Sequence, residues 1–196
     1  MIYSGRKSFK RGGQLAMGES TNVLSVTDRA RQVRLAAFDV DGILTDGRLY
    51  YTDSGEEIKA FNVQDGHGIK MLHESGIVVA IITSRSWRVV ENRARDLGIE
   101  FLFQGVASKL DTMNTLLKRL AVDVQAASYM GDDVIDLPVL RRCGFAVSVP
   151  EAPVIVRKHA HHVTSARGGR GAVREFAELV LQAQGTLDVR LAAYLA

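Results

Sequence analysis

The chain has 196 residues, of which 46% are hydrophobic and 24% charged, with a formal net charge of +3; that composition provides core for one globular domain and excludes a disordered or fibrous chain. Cys143 is the only cysteine, which excludes an internal disulfide and points to a buried structural thiol in a reducing cytoplasm. No run of 18 uninterrupted apolar residues occurs and the basic N-terminus lacks an apolar signal-peptide core, so an unexported protein without membrane contact is expected.

Residues 1–34 hold seven Lys or Arg against two acids, leaving 18 basic and 20 acidic residues beyond them. The sequence pI of about 9.1 therefore reflects this segment. Arg6, Lys7, Lys10 and Arg11 stand among Gly and Ser, and residues 1–32 read as a basic flexible arm rather than a nucleic-acid surface. From Leu35 onward, strand candidates at Leu35–Asp39, Val78–Thr83, Phe101–Phe103, Ala127–Gly131 and Phe145–Val147 alternate with helical patterns. The helices are expected at Gly66–Ser75, Ser86–Leu97, Lys109–Leu120 and Ile135–Arg142. This alternation predicts an α/β fold, a doubly wound Rossmann-like parallel sheet over residues 33–185, with a tail at 186–196. Residues 48–61 depart from it: RLYYT, the turn DSGE and EIKAFN predict a β-hairpin projecting from the sheet.

The run LAAFDVDGILTDG places Asp39 and Asp41 where the first strand ends, and α/β sheets bind ligands at the carboxyl ends of their strands. Two acids so placed need a charge partner, and a hard cation such as Mg²⁺ takes oxygen ligands beside substrate phosphate. A calcium loop fails on spacing, since its twelfth position is Tyr50 rather than Glu. An Asp-Gly turn or a helix cap explains Asp39 to Gly42 equally well when that stretch stands alone. The later strand ends add Thr83 and Ser84, then Gly131, Asp132 and Asp133, with Asp136 close behind; Lys109 opens the helix between them. Each has an ordinary explanation singly, but the strand ends of a parallel sheet converge along one edge.

In order and residue type this set of carboxylate pair, hydroxyl, lysine and carboxylate cluster resembles the four motifs of the haloacid dehalogenase superfamily, over about residues 33–150. The resemblance implies phosphoryl transfer assisted by Mg²⁺. Asp39 is then the nucleophile that forms an aspartyl-phosphate. Asp41 is the general acid and afterwards the general base, with its backbone carbonyl on the metal. Asp132 completes the metal set and Asp133 or Asp136 orients it, while Thr83 and Ser84 hold phosphate and Lys109 neutralises charge. Gly42 either admits the phosphate or simply makes a turn. Cap domains in this superfamily follow the first or second motif, and here there is no room for one, so a neighbouring subunit is expected to cover the open site.

TDGRLYY, FNVQDGHGIKML, GDDVIDLPVL and GGRGAVREF followed by AQG further resemble the 3-deoxy-D-manno-octulosonate 8-phosphate phosphatases, over about residues 30–186. That resemblance implies a capless, Mg²⁺-dependent homotetramer in which hairpins pack together and a neighbour's C-terminal segment helps close the site. It also implies a small sugar phosphate as substrate and a cytoplasmic step of lipopolysaccharide biosynthesis. A phosphatase for a nine-carbon sialate-type acid is the alternative; a non-catalytic oligomerisation module is disfavoured because Asp39 and Asp41 are both present. Gly168, Gly169 and Gly171 free the backbone around Arg170, which with Arg174 suits an anionic sugar, although Arg174 is equally placed to pair with Glu178 one turn on. Arg85 meets either substrate or an acidic neighbour. Gln64 and His67 stand where the family often has Arg and an aromatic or aliphatic residue, which leaves the sugar open. Asp65 and His67 read as solvated loop residues or contacts to the sugar tail. A zinc site at His159, His161 and His162 is disfavoured, because no cysteine is near and adjacent histidines on a strand face opposite ways.

Overall fold

β1 (Leu35–Phe38) is buried along its whole length, which an apolar strand achieves when both its faces are covered. In the computed structural model, which describes residue 1 and residues 24–195, β1 pairs in parallel with β4 (Val78–Ile82) on one side and β6 (Ala127–Met130) on the other. β5 (Phe101–Phe103), β7 (Phe145–Ser148) and β8 (His162–Val163) complete a parallel sheet of order β5-β4-β1-β6-β7-β8. The chain leaves β1 toward one side of the sheet and later crosses to the other, so a crevice opens at the ends of β1, β4 and β6. Phe38 pairs with both Ile81 and Met130, so the residues that follow these strands leave the sheet at one level.

α1 (Val26–Gln32), α2 (Val63–Glu74) and α7 (Ala172–Ala183) pack together on one face, with α3 (Arg88–Leu97) beside α2. α4 (Lys109–Leu120) and α5 (Leu137–Leu140) pack against the other. α6 (Val154–Arg157) and α8 (Leu187–Ala192) are short peripheral helices. Phe176 of α7 joins helix to sheet, its ring edge-on to Phe38 at 5.6 Å and stacked on Phe145 at 6.1 Å. β2 (Tyr50–Tyr51) and β3 (Glu57–Ile58) form a separate antiparallel hairpin. Among the described residues no helix is long and apolar enough to cross a membrane, and the described chain has no cap domain between its elements.

Some boundaries differ from expectation for identifiable reasons. α2 starts three residues ahead of the expected Gly66, because the Asn62 side chain accepts from the N–H groups of Gln64 and Asp65. The expected helix from Ile135 is a 3-10 turn at Val134–Asp136 followed by one turn of α5, since the Asp136 side chain turns back toward the strand ends. α1 lies inside the segment expected to be an arm; Ala30 is fully buried and Arg29 donates to the Gly144 carbonyl at 2.6 Å. The four basic residues Arg6 to Arg11 lie outside the described residues. The tail packs on α2 of its own chain: Arg190 donates to Ser75 Oγ at 2.9 Å and to the Glu74 carbonyl, and Tyr194 meets the His67 ring at 5.5 Å. Cys143 is buried and its thiol is pushed up to about 12 by that burial. His161 Nδ1 accepts from the Ala146 N–H at 2.9 Å, a structural role.

Because Phe176 ties the α1–α2–α7 layer to β1 and β7, Phe176→Ala is expected to cost about 3–5 kcal/mol of unfolding free energy, read as a lower urea midpoint with an unchanged slope.

Candidate active site

Asp39 follows β1 with its N–H still bonded to the Met130 carbonyl at 2.9 Å, so the sheet ladder fixes the backbone that carries it. Its side chain is buried, and Lys109, the first residue of α4 behind the Ser108 cap, brings Nζ to 2.8 Å from Asp39 Oδ2. The same ammonium lies 2.6 Å from Oδ1 of Asp136, which is fully buried. Asp136 Oδ1 also accepts from the Tyr129 hydroxyl at 2.8 Å, and Oδ2 accepts from the N–H groups of Asp132 at 3.0 Å and Asp133 at 3.1 Å. Every lone-pair direction of Asp136 is thereby engaged, and its work is to shape the loop after β6. Gly131 permits this, since a Cβ there would meet Asp136 Cγ at 2.5 Å.

That loop aims Asp132 at Asp39. Gly42 is required twice over: its φ is +84°, and a Cβ would lie 2.0 Å from Asp132 Oδ2. The alternatives of turn and close approach are thus both met, the approach being that of a carboxylate of the same chain. Burial, aided by Asp136 and resisted by Lys109, raises Asp39 to about 6. Burial, with Asp39, Asp136 and Asp133 adding to it, raises Asp132 to about 7. Burial lowers the pull on the Lys109 proton, but Asp39 and Asp136 outweigh it and carry the ammonium above its usual range. One oxygen each of Asp39, Asp132 and Asp136 lies within 4.8 Å of the others, a carboxylate excess that one lysine leaves uncompensated. Oxygen donors under mutual repulsion fit a hard divalent cation. With Asp136 already saturated, the side chains free to hold it are Asp39 and Asp132.

A crevice of about 300 Å³ runs past these groups, lined also by Asp41, Thr83, Ser84, Arg85 and the apolar rims Leu49 and Ile135. Thr83 is buried and held by the Phe103 carbonyl through its N–H at 3.0 Å. An adjoining crevice of about 320 Å³ shares Gly47 and Asp132 and is rimmed by Arg48, Arg167, Gly168 and Arg170. Arg170 lies 4.0 Å from Asp46, with its side chain 63% exposed. Gly168 and Gly169 serve close packing, since a Cβ would sit 1.7 Å from the Gly42 carbonyl oxygen or 2.4 Å from the Thr45 carbonyl carbon.

Three of the expected residues find partners within the chain. Arg174 lines neither crevice; it pairs with Glu178 at 2.6 Å, the local partner one turn on. Asp65 is buried rather than solvated and lines neither crevice: it accepts from the N–H groups of Gly171 at 3.2 Å and Arg174 at 2.9 Å, capping α7 from α2. His67 is occupied by Tyr194. Sequence reasoning also missed Glu57, Lys59 and Tyr129. Lys59 Nζ bonds Asp41 Oδ1 and lies 2.8 Å from Glu57 Oε1, while Glu57 Oε2 accepts from Arg85 at 2.7 Å. The available signal was the period-two spacing of Glu57 and Lys59 on a hairpin strand.

Residues 98–175 match the haloacid dehalogenase-like hydrolase family. The 3-deoxy-D-manno-octulosonate 8-phosphate phosphatase of Escherichia coli K12 is 45% identical over 179 residues, covering 91% of this chain and 95% of that protein. The Moraxella catarrhalis phosphatase of the same description, solved with magnesium ion, phosphate ion and KDO, superposes with a TM-score of 0.85 at 43% identity, covering 86% of this chain and 97% of that one. A probable YrbI-family phosphatase of Pseudomonas syringae gives 0.86 at 51% identity, covering 87% and 97%.

Raised carboxylates must shed their protons to become ligands. With Asp132 at about 7 and Asp39 at about 6, divalent-cation affinity should fall about tenfold or more between about pH 8 and pH 6, with net proton release at the lower value. Titration calorimetry in buffers of different ionisation enthalpy reads both.

Proposed function

The chain belongs to the 3-deoxy-D-manno-octulosonate 8-phosphate phosphatase family, and on that premise we propose that it hydrolyses the 8-phosphate ester of this sugar acid through an aspartyl-phosphate on Asp39, with Mg²⁺ as cofactor. It is a phosphatase. The observation that carries the mechanism is the buried Asp39 carboxylate gripped at 2.8 Å by Lys109, in one crevice with Thr83 and Asp132 from the two adjacent strand ends. The metal would be held by Asp39, Asp132 and the main-chain carbonyl of Asp41; when bound, it neutralises charge on phosphate and nucleophile so that two anions can approach.

In the first step Asp39 attacks phosphorus as the bond from phosphorus to the sugar's terminal oxygen breaks, and Asp41 gives its proton to that departing oxygen. Thr83 and Ser84 offer hydrogen bonds to the phosphoryl oxygens, and Lys109 stays on Asp39 as its charge passes to phosphate. In the second step Asp41 takes a proton from water while the water oxygen bonds to phosphorus; the Asp39 acyl-oxygen bond to phosphorus breaks and the carboxylate is restored. Arg170 on the adjoining crevice rim suits the sugar's carboxylate.

The cover for the open site is a neighbouring subunit in a homotetramer. Leu49, Tyr50, Tyr51 and Ile58 support this reading, because the hairpin leaves all four at least 40% exposed in one projecting patch. The setting is cytoplasmic lipopolysaccharide biosynthesis.

Phosphate release from 3-deoxy-D-manno-octulosonate 8-phosphate should require Mg²⁺, vanish with EDTA and fall about a thousandfold or more in Asp39→Asn; wild-type turnover in that variant would refute the nucleophile. The nine-carbon acid phosphate should be the poorer substrate by at least about tenfold in kcat/KM. Sedimentation should show a four-chain species, and a fully active monomer would refute the assembly.

A further inference from the structure

The hairpin turns two of its charges, Glu57 and Lys59, inward and Tyr50, Tyr51 and Ile58 outward. Glu57 and Lys59 lie two apart and so share one side of the strand; their side chains are each 1% exposed, whereas Ile58 between them is 55% exposed. An inward ammonium on so short a hairpin costs desolvation, and partners must offset it. Those partners lead to the catalytic crevice. Lys59 Nζ bonds Asp41 Oδ1 and sits 2.8 Å from Glu57 Oε1. Glu57 Oε2 accepts from one terminal nitrogen of Arg85 at 2.7 Å, and the other lies 3.9 Å from Asp41 Oδ2. The four charges alternate in sign around a closed ring, and Lys59 and Arg85 take one oxygen each of Asp41.

Among the described residues, Lys59 and Arg85 are the side chains that bond or ion-pair with the Asp41 carboxylate. Asp41 otherwise lies at the crevice edge, 24% exposed, where a carboxylate has rotational freedom. A group that carries a proton both to a leaving oxygen and from water must be held in reach of each.

We infer that Lys59 and Glu57 are positioning residues for Asp41: Lys59 fixes the carboxylate, and Glu57 fixes Lys59 and Arg85 together. The hairpin is then part of the proton-transfer apparatus as well as an exposed apolar surface. This rests on the reading of Asp41 as proton carrier. Were the ring purely structural, breaking it would instead lower stability and slow both kinds of leaving group alike.

The two esters 3-deoxy-D-manno-octulosonate 8-phosphate and 4-nitrophenyl phosphate separate these roles, because the alkoxide needs a proton to depart and nitrophenolate does not. Under single turnover with enzyme in excess, Lys59→Met should slow the sugar ester about a hundredfold with KM within about twofold, while nitrophenolate release stays within about threefold of wild type. Lys59→Arg should recover the sugar-ester rate to within about tenfold. The double variant Glu57→Gln with Lys59→Met removes one charge of each sign, keeps the ring neutral for folding, and should show the same split. Equal losses on both esters, or wild-type rates on the sugar ester, overturn the inference. Asp41→Asn is the control: no split there refutes the proton-carrier reading itself, whereas a split there without one in Lys59→Met refutes the positioning role alone.

Discussion

One buried ammonium holds this site together. Asp39, Asp132 and Asp136 bring carboxylate oxygens within 4.8 Å of one another at strand ends where Asp39 and Asp136 are buried, and Lys109 is the cation in direct contact with two of them. Burial first, and like charges so close second, raise the pKa of Asp39 and Asp132, and without Lys109 the cluster would exclude itself from the interior. Tyr129 and the two loop N–H groups saturate Asp136, so the remaining imbalance falls on Asp39 and Asp132. The same repulsion that opposes folding makes that pair a receptor for a hard cation. Structure and chemistry share one electrostatic cause.

The packing serves that arrangement. Parallel registers across β4, β1 and β6 deliver a hydroxyl and two carboxylates to one edge of the sheet, and Gly42 and Gly131 remove the side-chain atoms that would hold the two loops apart. Asp65 supplies α7 with the cap its own Gly171 lacks, which ties the glycine loop of residues 168–171 to α2 and seats it against residues 42–46. The hairpin buries Glu57 and Lys59 while Tyr50, Tyr51 and Ile58 stay outside. An open crevice between apolar rims follows, suited to closure from another chain.

Much of this was legible in the sequence because it is locally written. Apolar runs breaking into Asp, Thr or Gly mark strand ends, and the order of Asp39, Thr83, Lys109 and Asp132 survives any uncertainty in helix boundaries. What was not legible depends on partners distant in sequence. Asp65 finds the N–H groups of residues 171 and 174 only once α2 and α7 pack. Lys59 finds Asp41 only once the hairpin folds back, and its period-two spacing from Glu57 says that the two share a side of the strand without saying that this side is buried. Arg174 had two partners in prospect, and the nearer, Glu178, took it, as helical i,i+4 geometry favours. α1 escaped notice because its seven residues carry too short a pattern to stand out from a basic segment.

The account stands on Asp39 becoming covalently phosphorylated. Rapid acid quenching during turnover, followed by mass spectrometry of the peptide that contains Asp39, tests this directly, since acyl phosphates survive acid. One phosphoryl group on Asp39, formed and discharged at rates matching turnover, is the predicted result. Product accumulating at the full catalytic rate with Asp39 never phosphorylated would contradict it.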